Sequence, residues 1–247
     1  MPELASYDRS ARFYDRLYAF KDYPTVTARL LDAIRHRHPS ARTLLDVGCG
    51  TGVHLRSLQD HYRVEGTDLS PQMLQVARER CPEVVLHEAD MATLDLGQQY
   101  DVVLCMFSSI GYVRTSERLR STVAAFARHL TPGGVLMVEP WFTPEQYWDG
   151  HLTVNRVDEP DLQATWMYTS AREGDRSVFD IHYLVGDSSG VEHFTEQHVM
   201  GLFRHEEYLR AFTGAGLAVA HESAGFFGRG LYVGTAPGRA APAGTRT

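Results

Sequence analysis

A glycine-rich turn between a strand and a helix carries the clearest chemical signal in the chain. Residues 44–47 read as an apolar strand that contains Asp46, and Gly48, Gly50 and Gly52 follow at alternate positions. Glycine is needed where the main chain takes a positive φ or must approach a ligand without a Cβ. A strand, such a turn and a helix N-terminus form a nucleotide pocket at the carboxyl edge of a parallel sheet.

Acidic and apolar residues follow the next three strands, at the same edge of the expected sheet. Asp68 lies about 20 residues after Gly48, where a carboxylate can accept both ribose hydroxyls of an adenosine. Leu69 comes next, Asp90 and Met91 follow the third strand, and Met106 follows the fourth. We expect Asp90 and Met91 to reach the adenine and Met106 to cover its other face.

A nicotinamide dinucleotide is the main competing ligand for such a turn. Its fingerprint, G-x-G-x-x-G, would place a third glycine at position 53, which is Val53 here. Lys21 is the single lysine of the chain, so a Tyr-x-x-x-Lys pair is absent as well. Both observations weigh against an oxidoreductase, which we keep as a remote alternative.

The elements around the turn alternate between strands and helices, which predicts βαβ units and a mostly parallel sheet. Strands are expected at about 42–47, 63–68, 84–87, 101–106 and 135–139. Helices are expected at about 24–38, from Gly52 to about Asp60, at 70–80, and from Ser116 to Leu130. Thr131-Pro132-Gly133-Gly134 reads as a turn.

After Trp141 the helical period disappears, which indicates an antiparallel β insertion. Its strands are expected at about 166–172, 177–185 and 191–202, with Phe179, Ile181, Tyr183 and Val185 alternating on one face. A helix at 205–215 and strands at 217–222 and 229–236 then resume the core. We therefore expect a core of 24–140 and 205–236, an insertion at 141–204, a separate N-terminal segment at 1–23 and a disordered tail at 237–247.

Composition excludes several classes of protein. The chain has 247 residues, 43% of them apolar, and a net charge of −7, which argues against a nucleic-acid partner. A membrane span and a secretory signal are not expected, so we predict a cytoplasmic protein. Cys49, Cys81 and Cys105 are odd in number and far apart, so neither a disulfide framework nor a metal site is expected. A homodimer is left open.

Several segments together resemble a known family. The segment 45–52 looks like motif I of class I S-adenosylmethionine-dependent methyltransferases, and its spacing to Asp68 and to Asp90-Met91 also fits. The chain from about Tyr14 to Gly234 further resembles the N,N-dimethyltransferases that act on dTDP-amino sugars in macrolide biosynthesis, of the desosamine and mycaminose type. The narrower segments are Tyr14-Asp15, Lys21-Asp22-Tyr23, 106–112, 138–141, Arg172-Glu173-Gly174 and 228–231.

The resemblance implies a Rossmann-like fold with a mostly parallel seven-stranded sheet, and S-adenosylmethionine as methyl donor. The residues expected to bind the donor are Tyr14, Asp46, Gly48, Cys49, Gly50, Asp68, Leu69, Asp90, Met91 and Met106. The acceptor would be a dTDP-linked deoxyaminosugar. Residues 1–23 would fold over the site as a lid, and the residues expected to bind the acceptor are Tyr18, Tyr23, Trp141, Tyr147, Trp148, Arg172 and Arg229.

The expected reaction is attack by the sugar amine on a methyl group bound to positively charged sulfur. Arginines suit the pyrophosphate because they are always charged and fork-shaped, so Arg172 and Arg229 are the candidates. Tyr112 is the candidate to orient the amine, since it follows the fourth strand; His182 and Glu139 are lesser candidates. Methyl transfer to oxygen or carbon of another small molecule is the main alternative.

Overall fold

The computed structural model describes residues 7–238, and a seven-stranded sheet forms its centre. The strand order is β11-β12-β5-β4-β1-β2-β3. Strands β1 to β5 are parallel, and β12 is antiparallel to both of its neighbours. The strands are β1 (Thr43–Val47), β2 (Arg63–Asp68), β3 (Val85–Glu88), β4 (Tyr100–Cys105), β5 (Leu130–Val138), β11 (Ala218–Glu222) and β12 (Leu231–Thr235). The predicted fold class is confirmed.

Local sequence explains where the principal helices begin. Asp22 accepts a hydrogen bond from the Thr25 N–H at the start of α2, and Ser70 accepts one from Met73 at the start of α4. Such N-caps satisfy backbone donors that have no partner inside the helix. The helices are α1 (Tyr14–Leu17), α2 (Tyr23–Arg37), α3 (Val53–Leu58), α4 (Pro71–Arg80), α5 (Ser116–Arg128) and α6 (His205–Gly214), with 3₁₀ turns at Ala11–Phe13 and Ser109–Val113.

Both faces of the central sheet are covered by helices. On one face, Val123 and Phe126 of α5 and Phe212 of α6 pack against β1, β4 and β5. On the other, apolar residues of α2 and α3, including Leu30 and Leu55, pack against the same strands. Helices on both faces are what parallel strands require, because these strands are apolar on both sides. The carboxyl edge of the sheet stays open for a ligand.

A second sheet packs against the 3₁₀ turn beside that edge and against the N-terminal segment, and it has more strands than the sequence predicted. Its strands are β6 (Leu152–Glu159), β7 (Leu162–Thr169), β8 (Ala171–Glu173), β9 (Arg176–Asp187) and β10 (Gly190–Gly201). They pair antiparallel in the order β10-β9-β7-β6, and β8 pairs with β9. The inward residues of β9 are those that alternate in the sequence, among them Phe179, Ile181 and Tyr183.

The strand expected at about 166–172 lies instead at Leu162–Thr169, with Ala171–Glu173 as a separate strand, and β6 and β5 also differ from expectation. Strand β6 was not predicted, because it has no buried face of alternating apolar residues: Leu152 and Val154 are exposed, and Val157 is its only buried residue.

Strand β5 begins at Leu130 and includes the Thr131–Gly134 segment expected to be a turn. The pairing with β4 passes directly from Tyr100–Leu130 to Val102–Val135, so residues 131–134 bulge out between these two pairs.

The N-terminal segment, from Tyr7 onward, is tied to both sheets. Ser10 donates from its hydroxyl to Glu196 of β10 at 2.5 Å, and its N–H donates to the same carboxylate at 3.0 Å. Asp15 accepts a hydrogen bond from Thr51 in the glycine-rich turn at 2.6 Å and pairs with Arg80. The expected disordered tail, 237–247, lies almost entirely outside the described residues. No helix among residues 7–238 is long and apolar enough to cross a membrane.

Candidate functional site

A cavity of about 280 Å³ lies at the carboxyl edge of the central sheet. It is bounded by the glycine-rich turn, the ends of β2 and β4, and the N-terminal segment. Most of the residues predicted to bind the methyl donor or to orient the amine line this one cavity. They are Tyr14, Asp46, Gly48, Cys49, Gly50, Asp68, Leu69, Asp90, Met91, Met106 and Tyr112.

The glycine-rich turn is fixed by hydrogen bonds to the end of β2. The N–H groups of Gly48 and Cys49 donate to the carbonyl of Thr67 at 2.7 and 2.9 Å, and the Gly50 N–H donates to Asp68 at 2.8 Å. Gly48 has φ +74°, a backbone conformation that favours glycine. A Cβ built at Gly50 would have no atom within 4 Å, so the main chain there borders open space.

Two carboxylates, the buried Asp46 and the half-buried Asp68, place acidic groups in the cavity. Burial, and then the charge of Asp68, raise the pKa of Asp46 to about 7. Burial also raises the pKa of Asp68, although N–H donors from Ser70 and Gly50 oppose the shift. Among residues 7–238 neither carboxylate has an ion-pair partner. Such groups are costly unless a ligand supplies a cation or hydroxyl donors, and S-adenosylmethionine offers both. Asp46 and Asp68 therefore fit S-adenosylmethionine as the ligand of this cavity.

The expected adenine partners are placed together but are not equivalent. Leu69, Met91 and Met106 bring apolar side chains to the cavity. Asp90, by contrast, is held by Arg118, whose Nη2 lies 2.7 and 2.9 Å from the two carboxylate oxygens. Burial raises the pKa of Asp90, but the bonds from Arg118 and from the Ala92 N–H outweigh it and leave that pKa below its usual value.

Tyr112 occupies the 3₁₀ turn after β4 and has two partners that sequence reasoning missed. Its hydroxyl lies 2.8 Å from Nδ1 of His198 and 2.6 Å from the hydroxyl of Tyr7. Burial raises the pKa of Tyr112 far above its usual value, so its phenol stays protonated. The signal for His198 was the alternation along β10, which places this histidine on the inward face with Phe194.

A cationic cluster adjoins the cavity at Phe107. Arg229 donates to the Ser108 hydroxyl at 3.1 Å and faces the fully buried Glu139 at 3.5 Å. The Lys21 ammonium lies 4.9 Å from the centre of the Phe107 ring. Burial and the neighbouring Arg229 lower the pKa of Lys21 to about 8, although Glu139 acts in the opposite direction. The cluster thus holds two cations beside one carboxylate.

A second, smaller cavity of about 150 Å³ lies where the insertion begins. Three of the predicted acceptor-binding residues, Trp141, Tyr147 and Trp148, line it. Trp148 is 65% exposed, which leaves one wall open to solvent. Trp141 also lies 5.7 Å from the Arg229 guanidinium, so this aromatic cavity borders the cationic cluster.

The two tyrosines of the expected lid lie at different places. Tyr23 lines the larger cavity, and its ring centre is 5.4 Å from that of Phe107. Tyr18 instead packs between Tyr14 at 4.6 Å and Trp166 at 5.3 Å. The Lys21 ammonium lies over the Tyr18 ring, 4.5 Å from its centre. Tyr18 therefore contacts the cationic cluster through Lys21.

The structure does not bring Arg172 or His182 to either cavity. The Arg172 guanidinium donates to the carbonyls of Pro144 and Gly174, both at 2.8 Å, and so holds loops of the insertion together. His182 lies on the exposed face of β9, 3.4 Å from His193. Its neighbours Ile181 and Tyr183 point inward, and alternate residues of a strand point to opposite faces.

His54 is a further cavity residue that the sequence analysis overlooked. Its Nδ1 lies 2.7 Å from the Thr27 hydroxyl, and its ring stacks on Phe107 at 4.8 Å. Burial, and then the charge of Lys21, lower the pKa of His54 to about 4. A signal was present, because His54 follows Gly52 by two positions and therefore belongs to the first turn of α3.

Known proteins match both the sequence and this architecture. A methyltransferase domain model matches residues 44–134. The dTDP-3-amino-3,4,6-trideoxy-alpha-D-glucopyranose N,N-dimethyltransferase of Streptomyces venezuelae is 42% identical over 228 residues, 91% of this chain and 96% of the relative. The dTDP-4-amino-2,3,4,6-tetradeoxy-D-glucose N,N-dimethyltransferase of Saccharopolyspora spinosa is 35% identical over 227 residues, 91% of each chain.

Solved structures of related proteins also match the fold of this chain. The crystal structure of Streptomyces venezuelae DesVI superposes with a TM-score of 0.87 at 42% identity, covering 92% of this chain and 98% of that chain. A SAM-bound amino pentose methyltransferase from Micromonospora echinaspora superposes with a TM-score of 0.82 at 38% identity, covering 95% and 99%. These matches remove the oxidoreductase alternative. The chain belongs to the dTDP-aminosugar N,N-dimethyltransferase family of the S-adenosylmethionine-dependent methyltransferases.

Proposed function

We propose that this protein transfers methyl groups from S-adenosylmethionine to the amino group of a dTDP-linked deoxyaminosugar, giving the N,N-dimethylated sugar for antibiotic biosynthesis. The observation that carries the proposal is the place of Phe107. Phe107 lines the larger cavity, and it also contacts two members of the cationic cluster, Lys21 through its ring and Glu139 through its N–H. A methyl donor and a nucleoside diphosphate sugar can therefore bind next to each other.

The donor would be held by the residues of the larger cavity. Asp46 and Asp68 would accept hydrogen bonds from its amino group and its ribose hydroxyls, while Leu69, Met91 and Met106 would pack on the adenine. S-adenosylmethionine, when bound, supplies a methyl group on a positively charged sulfur. With both ligands bound, the aromatic and apolar walls of this cavity would limit the access of water, which would favour the neutral amine that the reaction needs.

In this proposal the side chains accelerate methyl transfer by orienting the substrate amine more than by acting as an acid or a base. Tyr112 would place the acceptor amine, because this residue lines the cavity and its hydroxyl is fixed by two partners. A protonated phenol with a raised pKa does not act as a base. Holding the reacting groups in line supplies much of the acceleration in such a displacement. The proton released from the methylated amine would then leave to water.

The acceptor's nucleotide would lie on the cationic cluster and the aromatic cavity beside it. Arg229 and Lys21 supply two positive charges for a diphosphate, and the fork of the guanidinium suits phosphate oxygens. Trp141, Tyr147 and Trp148 offer flat apolar surfaces for the thymine or the sugar. Arg172 has no part in this proposal, since main-chain carbonyls use its guanidinium.

Mass spectrometry of the methylated product tests the proposal. The protein is incubated with S-adenosylmethionine and a panel of dTDP-linked 3-amino and 4-amino deoxyhexoses, with dTDP-glucose as the control that lacks an amine. Gain of two methyl groups on one amino sugar, and none on dTDP-glucose, is the expected result. Methylation of dTDP-glucose would favour transfer to oxygen, and no transfer to any amino sugar would overturn the proposal.

Two further expectations concern the cell and the assembly. We propose that the protein works in the cytoplasm, and its assembly as a monomer or a homodimer is left open. Fractionation of the producing cells tests the first, and light scattering coupled to size-exclusion chromatography tests the second. A monomeric mass at working concentration would exclude the homodimer.

A further inference from the structure

We infer that His198 is a positioning residue, which orients the Tyr112 hydroxyl so that its oxygen accepts a hydrogen bond from the substrate amine. The inference rests on the proposed methyl transfer to an amine. It concerns a residue of β10, far from the glycine-rich turn in sequence and outside the segments that define the family resemblance.

The contact between the two residues is direct and shielded from water. His198 is 1% exposed, and its Nδ1 lies 2.8 Å from the Tyr112 hydroxyl. The histidine ring stacks on Phe179, with centroids 5.4 Å apart and planes 12° from parallel. Tyr7 packs edge-on against the same ring at 4.9 Å. Packing on two sides therefore fixes the orientation of the imidazole.

The protonation state of His198 decides what Tyr112 can do. Burial lowers the pKa of His198 to about 4, so the ring is neutral near pH 7 and has one donor and one acceptor nitrogen. With its proton on Nε2, the ring accepts the Tyr112 O–H at Nδ1. The Tyr112 oxygen then keeps two lone pairs, one for the O–H of Tyr7 at 2.6 Å and one that an amine N–H can use.

This arrangement acts on the rate more than on ground-state binding. The amine nitrogen gains positive charge as the methyl group arrives, so its remaining N–H becomes a stronger donor during the reaction. A hydrogen bond that strengthens in the transition state raises kcat without tightening ground-state binding. Loss of the His198 contact frees the phenol to rotate, and its proton then competes for the position of the amine N–H.

Three substitutions at position 198 test the inference. His198→Leu removes both nitrogens, His198→Asn keeps a polar atom near the place of Nδ1, and His198→Gln places one near Nε2 instead. His198→Leu and His198→Gln are expected to lower kcat by about ten-fold, with little change in KM for the sugar nucleotide. His198→Asn is expected to keep most of the kcat of the unaltered protein. His193→Leu, on the exposed face of the same strand, is the matched control.

A double-mutant comparison separates positioning from simple packing. In a Tyr112→Phe background the His198→Leu change is expected to cause no further loss of kcat, because the hydroxyl it orients is gone. Equal losses in both backgrounds would overturn the inference, as would a His198→Asn variant no better than His198→Leu. Thermal unfolding and S-adenosylmethionine affinity, measured on each variant, identify any that fails to fold.

Nitrogen NMR of the histidine ring gives a readout that does not depend on turnover. We expect the Nδ1 of His198 to be unprotonated and its Nε2 protonated at neutral pH. A proton on Nδ1 would overturn the inference even if the enzyme is active. Conversely, this tautomer in a protein that methylates no amino sugar would contradict the proposed function and leave the His198–Tyr112 hydrogen bond intact.

Discussion

Arg229 faces the Glu139 carboxylate across 3.5 Å, and that carboxylate is fully buried at the end of β5. The other oxygen of Glu139 accepts a hydrogen bond from the Phe107 N–H at 2.8 Å. The acid thus joins the loop after β4 to the loop before β12. It holds the guanidinium at the border of the two cavities, where a nucleotide diphosphate would lie in the proposed function.

Replacing Arg229 tests this placement. Arg229→Ala is expected to raise KM for the dTDP-amino sugar by at least about ten-fold, since hydrogen bonds to charged groups are worth roughly 1.5–3 kcal/mol. Arg229→Lys keeps the positive charge but loses the forked guanidinium, so its KM should lie between those of the unaltered protein and of Arg229→Ala. S-adenosylmethionine affinity, measured by calorimetry, should stay nearly unchanged.

Arg172→Ala is the matched control for that substitution. Its guanidinium binds the carbonyls of Pro144 and Gly174, so KM for the sugar nucleotide should remain close to that of the unaltered protein. If instead Arg172→Ala raised KM and Arg229→Ala did not, the diphosphate would lie on the insertion and the assignment to Arg229 would be wrong.

The titration of Lys21 is expected to make dTDP binding depend on pH. Burial and Arg229 lower its pKa to about 8 in the free protein, while a bound diphosphate would raise it by favouring the ammonium form. Affinity for dTDP should therefore be level below about pH 8 and should fall as the pH rises through the free pKa toward the higher bound one. Calorimetry at about pH 7 and pH 9 measures the fall.

A Lys21→Met variant checks the origin of this pH dependence. The variant should bind dTDP more weakly at about pH 7 and should lose most of the decrease between the two pH values, since the titrating group is gone. An equal decrease in the variant would assign the pH dependence to another group, such as the ligand's own ionisation.

Asp68 is expected to determine the affinity for the methyl donor. Asp68→Asn removes the charge and keeps one oxygen, which can accept from either the Gly50 or the Ser70 N–H, because these two groups bind different oxygens of the carboxylate. The dissociation constant of S-adenosylmethionine should rise by at least about ten-fold, from the loss of one charged hydrogen bond. Glu88→Gln is the control, because Glu88 lies opposite Asp68 on β3 and is exposed. Unchanged affinity in Asp68→Asn would refute a ribose role.

The meeting of the proposed donor-binding residues at one cavity was predictable, because the sequence signals for it are local. Each residue after a strand of a parallel sheet reaches the same edge, so Gly48, Asp68 and Met106 meet once the strands are known. The distance along the chain between them does not matter. What the sequence could not reveal is that Asp90 is already paired with Arg118, because α5 brings that arginine from another part of the chain.

The acceptor half was predicted less well, because it depends on how the insertion packs. His182 was misplaced although the alternation of Ile181 and Tyr183 already put it on the outer face. Arg172 was misplaced because an arginine can equally well bind main-chain carbonyls, and only the folded loops show which it does. His198 was missed because Tyr112 and Tyr7 reach it only when the N-terminal segment and β10 pack together.

The hydrogen bond between Asp15 and the glycine-rich turn leads us to expect that the methyl donor changes how often the N-terminal segment opens. Asp15 accepts a hydrogen bond from Thr51 at 2.6 Å and pairs with Arg80, which also donates to the Thr51 carbonyl at 2.8 Å. Asp15→Ala removes both contacts and should let the segment open more often. Because Lys21 is the single lysine, a lysine-specific protease cuts the chain at one place in this segment.

Cleavage after Lys21, followed by mass spectrometry, therefore reports opening. In the regime where opening is fast, the cleavage rate follows the population of the open form, and a loss of about 1 kcal/mol raises it about five-fold. S-adenosylmethionine should slow cleavage of the unaltered protein and slow that of Asp15→Ala less. Asp32→Asn, an exposed carboxylate on α2, should cleave like the unaltered protein. Equal rates for Asp15→Ala and Asp32→Asn would show that the Asp15 contacts do not hold the segment closed.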